Sequence, residues 1–189
     1  MVTVYDPARG ITALGLMSGT SLDGLDLCLA RFTLLAGKWS YRVLHAHSVT
    51  YPSELKHLLA TAQSLNAEDF ARLHSDYGIY LGEQSGAFME QYSVRPDLIA
   101  SHGHTIFHRP AFRFTCQIGS GAGIAAETGV PVVCDFRTTD VALHGQGAPL
   151  VPIGDRCLFS DYDYCLNLGG FSNISSDASN LERINRWAA

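Results

Sequence analysis

The chain has 189 residues, of which 47% are hydrophobic and 16% are charged, a balance typical of a compact globular protein rather than a disordered one. The net charge of −5, without any cluster of lysine and arginine, argues against nucleic acid or an anionic membrane as a partner. The amino terminus has no basic region followed by an apolar segment, and no apolar run is long enough to span a bilayer, so we expect a cytoplasmic protein without a signal peptide.

The first two predicted strands are joined by a polar turn that contains glycine. Mostly apolar runs at 11–17 and 25–32 flank this turn, a pattern that predicts strand, tight turn and strand. The turn contains two glycines, Gly19 and Gly24, two hydroxyl side chains, Thr20 and Ser21, and one carboxylate, Asp23. Such a turn can direct backbone N–H groups and hydroxyls at a phosphate oxygen, but an ordinary hairpin with an Asp-Gly turn fits the same residues. The turn alone leaves both interpretations open.

A third strand and two helices follow. Alternating residues at 41–51 predict the strand, and Ser53 is a candidate N-cap for the first helix. Apolar residues at helical spacing predict a longer helix over 67–92. Three glycines of that helix lie four residues apart and therefore share one face: Gly78, Gly82 and Gly86. They permit close approach of another backbone, or they weaken that face of the helix.

Two short apolar segments, 98–101 and 130–134, predict buried strands that both end on polar residues. In open sheets, ligand-binding groups lie at such carboxyl ends. The other predicted elements are a hairpin at 105–107 and 113–118, a short helix after 123, a helix near 153–159, a strand at 164–168 and a second glycine turn at 169–173. Strands that first meander and then alternate with helices indicate an α/β fold, with a mixed sheet and helices on both faces.

The five cysteines are scattered and lie mostly within apolar runs: Cys28, Cys116, Cys134, Cys157 and Cys165. They lack the close pairs of a zinc site and the density of a secreted disulfide scaffold. We therefore interpret them as buried, reduced thiols, with a catalytic or metal-binding cysteine as the alternative.

Six strings of residues, in this order, carry a resemblance to a known family. They are Met-Ser-Gly-Thr-Ser-Leu-Asp-Gly at 17–24, Ser-His-Gly-His-Thr-Ile-Phe-His at 101–108, Gln-Ile-Gly at 117–119, Asp-Phe-Arg at 135–137, Gly-Gln-Gly-Ala-Pro-Leu-Val-Pro at 145–152 and Asn-Leu-Gly-Gly-Phe-Ser-Asn-Ile at 167–174. In content, order and spacing they resemble the anhydro-N-acetylmuramic acid kinases, a branch of the superfamily of sugar kinases, heat-shock ATPases and actin.

The resemblance implies a ribonuclease H-like (actin-like ATPase) fold. In that superfamily two such domains face each other across a cleft, and each contributes one phosphate loop. We expect a leader at 1–10, a first domain with the first phosphate loop at 11–160, and the start of a truncated second domain with the second loop and an atypical tail at 161–189.

The resemblance also implies a reaction and its nucleotide site. Water opens the 1,6-anhydro ring of the amino sugar while O6 takes the γ-phosphoryl group of ATP, which gives N-acetylmuramic acid 6-phosphate in peptidoglycan recycling. The residues implied to hold the ATP phosphates are Gly19, Thr20, Ser21, Leu22, Asp23, Gly24, Leu25 and Asp26 from the first loop, and Gly169, Gly170, Ser172 and Asn173 from the second. Asp23 is the stronger candidate for the Mg²⁺ ion, whereas Asp26 lies within a strand, where a purely structural role is the alternative.

The resemblance implies sugar contacts from His102, His104, Asp135, Arg137, Gln146 and Gly147. A metal site is an alternative for the histidines, which include His108, and a structural, hydrogen-bonded histidine is another. The guanidinium of Arg137 suits a sugar carboxylate, although an ion pair with Asp135 is the alternative. For Gln146 and its flanking glycines, the alternative is a surface turn.

The sequence departs from the family after the second glycine turn. The family's general base belongs to an Asp-x-Gly-Pro-x-Asn-like stretch, which does not occur here, and residues from 176 onward look polar and helix-like. We consider a truncated kinase that lacks its general base, or a non-catalytic sugar- or phosphate-binding module that needs a partner chain. The hairpin at 164–174 is expected to expose a strand edge, and a homodimer is one candidate assembly.

Overall fold

The computed structural model describes residues 9–168, 172–177 and 183–188. In chain order its elements are β1 (Ile11–Ser18), β2 (Gly24–Leu35), β3 (Lys38–Thr50), α1 (Ser53–Thr61), α2 (Ala67–Tyr92), β4 (Leu98–Ser101), β5 (His104–Arg109), β6 (Phe114–Ile118), α3 (Gly121–Thr128), β7 (Val132–Cys134), α4 (Thr138–Ala142), α5 (Val151–Leu158), β8 (Tyr164–Asn167), β9 (Asn173–Asp177) and β10 (Arg183–Ala188). None of the helices in these ranges is both long and apolar enough to cross a membrane.

The centre of the molecule is a five-stranded mixed sheet in the order β3-β2-β1-β4-β7. β1, β2 and β3 form an antiparallel meander, whereas β1–β4 and β4–β7 are parallel pairs. Alternate residues of β1 and β2, including Leu14, Leu27 and Leu29, point into the core, as expected for strands with one buried face. This arrangement confirms the predicted α/β fold with a mixed sheet.

Helices contact both faces of the sheet. His45 of β3 stacks on Tyr92 of α2 with ring centroids 4.3 Å apart. A β-bulge between residues 43 and 45 places Tyr41 on the opposite face of β3. There Tyr41 meets Phe159, the residue after α5, at 5.7 Å. The long helix α2 therefore covers one face, while α5 contacts the other at the outer strand.

Helix α2 matches the bounds that its apolar periodicity predicts, and two of its glycines explain how α3 packs on it. The Asn66 side chain caps its first turn by accepting a hydrogen bond from the backbone of Asp69. A methyl group on Gly78 would lie 2.5 Å from the backbone nitrogen of Ser120, and one on Gly82 would lie 2.6 Å from Glu127. A methyl group on Gly86 would have no neighbouring atom within 4 Å in the described structure. Close helix approach therefore requires glycine at two of the three positions.

Some local predictions were wrong. Ser53 is the first residue of α1, and Pro52 takes the N-cap position without a side-chain hydrogen bond. β7 was predicted to be buried, but Val133 and Cys134 are exposed because β7 is an outer strand of the sheet. Helix α4 was not predicted at all. None of the five cysteines is fully buried: Cys134 is exposed and the other four are half-buried.

The helix-like tail is also a correction. Residues 183–188 form β10, which pairs antiparallel with β9 in a three-stranded sheet ordered β10-β9-β8. Pairing with a neighbouring strand overrides the weak helical preference of a short polar segment. Within the described part of the chain β8 is an outer strand of this sheet, and its Tyr164 and Leu166 side chains are exposed.

Candidate active site at the carboxyl edge of the sheet

Three parallel strands bring the polar segments to one edge of the central sheet. Leu16 of β1 lies opposite Ser101 of β4, which lies opposite Cys134 of β7. The backbone N–H of His102 continues the ladder by donating to the carbonyl of Leu16 at 3.1 Å. The segments that follow β1, β4 and β7 therefore emerge side by side, where open α/β sheets bind ligands.

The first of two clefts at this edge, here called the loop cleft, has a volume of about 400 Å³. It is lined by Met17, Gly19, Ser21, Asp23, Gly24, Asp26, Ser48, Val49 and Thr50. The turn closes through a hydrogen bond from Leu22 N–H to the Gly19 carbonyl at 3.2 Å, with Leu22 in the left-handed region at a φ of 58°. The hydroxyl of Ser48 donates to Asp26 Oδ1 at 2.6 Å. The cleft thus combines a tight turn, two carboxylates and several hydroxyls.

The predicted phosphate-binding residues divide into those that line the loop cleft and those that do not. The lining members are Gly19, Ser21, Asp23, Gly24 and Asp26. Thr20 is exposed outside the lining, Leu22 packs against the core, and Leu25 is fully buried in it. Gly24 also has a packing reason to be glycine, because a methyl group there would lie 2.3 Å from the carbonyl oxygen of Val49.

The second predicted phosphate loop is described only in part. Gly169 and Gly170 lie outside the described residues. Ser172 is half-buried, and Asn173 begins β9, where it pairs with Asn167. The Oδ1 atom of Asn173 is buried and has no hydrogen-bond partner among the residues that the structure describes. Neither described residue lines the loop cleft.

The donor atoms of the loop cleft suit a hard cation. Asp23 and Asp26 contribute carboxylates and Ser21 contributes a hydroxyl. Mg²⁺ in phosphotransferases is usually held by one or two carboxylates together with substrate phosphates. The described residues contain no group of three or more His, Cys, Asp or Glu side chains arranged to hold a metal. The two carboxylates and the hydroxyl of the loop cleft are a donor set that suits a nucleotide-bound Mg²⁺.

A chain of buried hydrogen bonds lies beneath the loop. His104 Nδ1 bonds the hydroxyl of Ser18 at 2.8 Å, Tyr51 donates to the same oxygen at 2.7 Å, and the hydroxyls of Tyr51 and Tyr77 are 2.7 Å apart. Burial, with a smaller effect from His102, lowers the pKa of His104 to about 4. Burial raises the pKa of both tyrosines. The network is therefore neutral and holds the residue that precedes Gly19.

The second cleft, here called the His102 cleft, has a volume of about 260 Å³. It is lined by His74, Ser101, His102, Gly103, Thr115, Cys116, Gln117, Gly119, Gly121, Cys134, Asp135 and Thr138. Two of its lining residues have a buried side-chain atom with no hydrogen-bond partner in the described part of the chain: Ser101 Oγ and Gln117 Oε1. Buried polar atoms of native proteins are nearly always paired, so each of these two atoms lacks a partner that the described residues do not supply.

His102 is fixed in one tautomer. Its Nδ1 lies 2.9 Å from the carbonyl oxygen of Gly103, which can only accept, so Nδ1 carries the proton. Nε2 then accepts from Nε and Nη2 of Arg137, at 3.1 and 2.9 Å. Burial, and then the charge of Arg137, lower the pKa of His102, although the Gly103 hydrogen bond opposes them. His102 is consequently neutral at pH 7.

Arg137 connects His102 to the loop at 145–147. Its Nη1 donates to the Gly147 carbonyl at 2.5 Å, and the Gly147 N–H donates to Asp140 Oδ2 at 2.6 Å. Asp135 is not its partner: among the described residues this carboxylate accepts from the Thr138 hydroxyl instead. Asp135 has a φ of 60°, a strained conformation that often occurs at functional sites.

The chain is similar to known proteins of one family. A family model described as anhydro-N-acetylmuramic acid kinase matches residues 11–185. Proteins named anhydro-N-acetylmuramic acid kinase are 40% identical in Rhodopseudomonas palustris, 40% in Pseudomonas paraeruginosa and 41% in Pseudomonas putida, over 87, 86 and 86% of this chain. The chain belongs to the anhydro-N-acetylmuramic acid kinase family. The same alignments cover 49, 46 and 46% of those relatives, so the chain spans about half their length.

The predicted sugar contacts of this anhydro-N-acetylmuramic acid kinase family member lie in three places. His102 and Asp135 line the His102 cleft. Arg137 and Gly147 lie behind His102 rather than in the lining. His104 is buried in the core, with 4% of its surface exposed, and lines neither cleft, while Gln146 is exposed. The three histidines bond different groups, with His108 bonding Thr115.

Sequence reasoning missed several residues that line the His102 cleft, above all Ser101 and Gln117. Both lie within strings that resemble the anhydro-N-acetylmuramic acid kinases, at 101–108 and 117–119. The signal was therefore present in the motifs, although a serine and a glutamine at strand ends do not stand out by residue type.

Proposed function

We propose that this chain contributes the first phosphate loop and the sugar pocket of an ATP-dependent kinase for 1,6-anhydro-N-acetylmuramic acid. The observation that carries the proposal is the position of the loop cleft and the His102 cleft at one sheet edge. There a hydrogen bond joins Ser18, the residue before Gly19 of the loop cleft, to His104, the residue after Gly103 of the His102 cleft. Such an arrangement holds a phosphoryl donor and an acceptor in fixed relation, which is the main requirement of phosphoryl transfer. We place the reaction in the cytoplasm, where ATP is available, as a step of peptidoglycan recycling.

On the nucleotide side, the residues lining the loop cleft bind the phosphates. The Gly19–Asp23 turn offers backbone N–H groups and the Ser21 hydroxyl to phosphate oxygens. Asp23, with Asp26 beside it, would hold Mg²⁺, which neutralises phosphate charge when bound. The buried network of Ser18 and Tyr51 keeps the turn in place during transfer.

On the sugar side, the His102 cleft holds the ring. Asp135 offers an exposed carboxylate to a sugar hydroxyl, and neutral His102 is held in place by Arg137 and Gly103. In the proposed reaction the attacking water adds to C1, the bond between C1 and the bridging oxygen breaks, and that oxygen, as O6, takes the γ-phosphoryl group while ADP leaves. A carboxylate base receives the proton of the water. We assign that role to no residue of this chain.

Calorimetric titration of the purified chain with ATP and Mg²⁺ tests the nucleotide site. We expect Asp23→Asn to weaken binding by about 10- to 150-fold, because removing one charged ligand to the magnesium and phosphates costs roughly 1.5–3 kcal/mol. The matched control is Asp161→Asn, an exposed carboxylate paired with Lys38 on the surface. Equal affinities for both variants and the unchanged chain would contradict the assignment of the loop cleft.

A coupled assay for ADP release with the anhydro sugar separates the two forms of the proposal. Turnover by the purified chain would show that a residue here, or in a second copy of the chain, supplies the base. Binding of both substrates without turnover would favour the alternative from the sequence, a sugar- and phosphate-binding module that needs a partner chain. Failure to bind either substrate would contradict both.

A further inference from the structure

The buried peptide unit of Gly147 is held by two charged side chains. Its N–H donates to Asp140 Oδ2 at 2.6 Å, and its carbonyl accepts from Arg137 Nη1 at 2.5 Å. Gly147 is buried, and neither of its backbone groups has a backbone partner among the described residues. Buried backbone groups are nearly always hydrogen-bonded, so these two side chains determine where the peptide unit lies.

Asp140 influences Arg137 through this peptide unit rather than through an ion pair. The ion pairs among the described residues include neither Asp140 nor Arg137. The loop that follows α4 packs tightly against that helix. A methyl group on Gly145 would overlap the Asp140 carboxylate, and one on Gly147, which has a φ of 63°, would lie 2.6 Å from Val141. A change at Asp140 must therefore reach Arg137 by moving the Gly147 carbonyl.

The guanidinium of Arg137 also fixes His102. Nε and Nη2 of Arg137 donate to Nε2 of His102 at 3.1 and 2.9 Å, and Nδ1 of His102 donates to the carbonyl of Gly103 at 2.9 Å. Both ring nitrogens are therefore in use, and His102 has neither a donor nor an acceptor left for a sugar hydroxyl. His102 thus shapes the cleft that it lines, while its nitrogens bond Arg137 and Gly103.

We propose that Asp140 is a positioning residue, which holds the Gly147 carbonyl where Arg137 bonds both that carbonyl and Nε2 of His102. In this arrangement His102 forms a fixed part of the cleft wall and leaves hydrogen bonds with the sugar to other side chains. The positioning role rests on the hydrogen bonds described above, and its use in sugar binding rests on the proposed function.

The test is a pH titration of the His102 ring by nuclear magnetic resonance, on the purified chain labelled with ¹⁵N-histidine. The His102 signal is assigned by its loss in His102→Gln. Asp140→Ala removes the acceptor for the Gly147 N–H, so we expect Arg137 to move away from His102. Burial, and then the charge of Arg137, lower the pKa of His102, so the titration midpoint should rise by about half a pH unit or more. Loss of the Asp140 charge alone would shift the midpoint downwards.

Further variants separate the proposed role from other effects. Asp140→Asn keeps an oxygen acceptor for the Gly147 N–H, so its midpoint should not exceed that of the unchanged chain. Arg137→Met should raise the midpoint at least as much as Asp140→Ala, and the double variant should show no further rise. Asp161→Ala removes an exposed carboxylate that pairs with Lys38 and should leave the midpoint unchanged. The neighbouring titratable groups stay the same in all these variants: His74, His104, Cys116, Cys134 and Asp135.

Two results of the titration would overturn the positioning role. One is an equal midpoint in Asp140→Ala and the unchanged chain, and the other is a rise in Asp140→Ala that adds in full to the rise in Arg137→Met. Thermal melts by circular dichroism verify that each variant is folded at the temperature of the titration. No substrate is present, so the titration decides the positioning role whether or not the chain binds the sugar.

Calorimetric titration with 1,6-anhydro-N-acetylmuramic acid tests the use of this positioning in sugar binding. Asp140→Ala is expected to bind the sugar at least about threefold more weakly than Asp140→Asn. Equal affinities of these two variants would contradict that use. Failure of the unchanged chain to bind would contradict the proposed function and leave the result of the pH titration standing.

Discussion

Replacing Gly78 with alanine tests how the His102 cleft is built. The added methyl group would lie 2.5 Å from the nitrogen and 2.6 Å from the carbonyl oxygen of Ser120, while ordinary contact begins at 3.4 Å. Both neighbouring atoms belong to the backbone, and the Ser120 N–H also bonds the His74 carbonyl at 3.0 Å. The segment before α3 must therefore move away from α2 by roughly 1 Å, because no flexible side chain can yield.

Two opposing effects determine how much Gly78→Ala changes the free energy of unfolding. Alanine in place of glycine inside a helix gains about 1 kcal/mol of stability. Forcing two packed backbones apart costs typically about 1–3 kcal/mol, or more where the displaced atoms are hydrogen-bonded. We expect Gly78→Ala to lower the free energy of unfolding by up to about 2 kcal/mol net. The melting temperature should fall by roughly 2–4 °C per kcal/mol in a chain of this size. Because Gly119 and Gly121 line the His102 cleft, sugar binding is expected to weaken as well.

Gly86→Ala is the internal control, since Gly86 lies on the same helix and the same face with no atom within 4 Å of the added methyl group. This variant is expected to gain about 0.5–1 kcal/mol. Urea denaturation followed by circular dichroism measures the free energy of unfolding of both variants. If Gly78→Ala proved as stable as Gly86→Ala, the close packing of α3 on α2 would not exist as described.

Three further predictions follow from the buried network and from the small sheet. Tyr51→Phe removes the donor to Ser18 and is expected to lower the free energy of unfolding, measured by urea denaturation, by about 1–3 kcal/mol. The control is Tyr80→Phe, because the Tyr80 hydroxyl has no hydrogen bond in the described structure. Its free energy of unfolding should stay within about 0.5 kcal/mol of that of the unchanged chain. Acidification from pH 7 towards pH 4 is expected to destabilise the fold by up to about 3 kcal/mol, because an unfolded histidine of pKa about 6.5 takes up a proton that folded His104, with its pKa of about 4, does not. His104→Asn should flatten this dependence of stability on pH. An unchanged dependence in that variant would contradict the lowered pKa of buried His104. Leu166→Lys on the exposed outer strand β8 should reduce concentration-dependent self-association in size-exclusion chromatography, and a monodisperse monomer of the unchanged chain at high concentration would contradict the exposed-edge prediction.

The sequence predicted elements whose signal is local. Helix α2 has a long apolar periodicity, and the β1–β2 turn has glycines between two apolar runs, so their bounds and the α/β class followed directly. The carboxyl ends of β1 and β4 were also predictable, because short apolar segments ended on polar residues. These features depend on neighbours within a few residues along the chain.

What the sequence did not predict depends on distant residues. The motif predicts His104 as a sugar contact beside His102, whereas in the structure Ser18 bonds His104 in the core and Tyr77 packs against its ring. The polar tail looks helix-like in sequence, because its pairing with β9 is not encoded locally. Ser101 and Gln117 were overlooked because an unpaired atom can be recognised only when all of its surroundings are known.

Hydrogen–deuterium exchange of the purified chain tests the central claim most directly, since it assigns each substrate to a place in the fold. With ATP and Mg²⁺, we expect slower exchange at residues 18–24, which form the turn of the loop cleft. With the anhydro sugar alone, we expect slower exchange at 101–104 and 117–121, which surround the His102 cleft. Protection of other segments, or the same segments for both substrates, would contradict two separate clefts for nucleotide and sugar at one edge of the sheet.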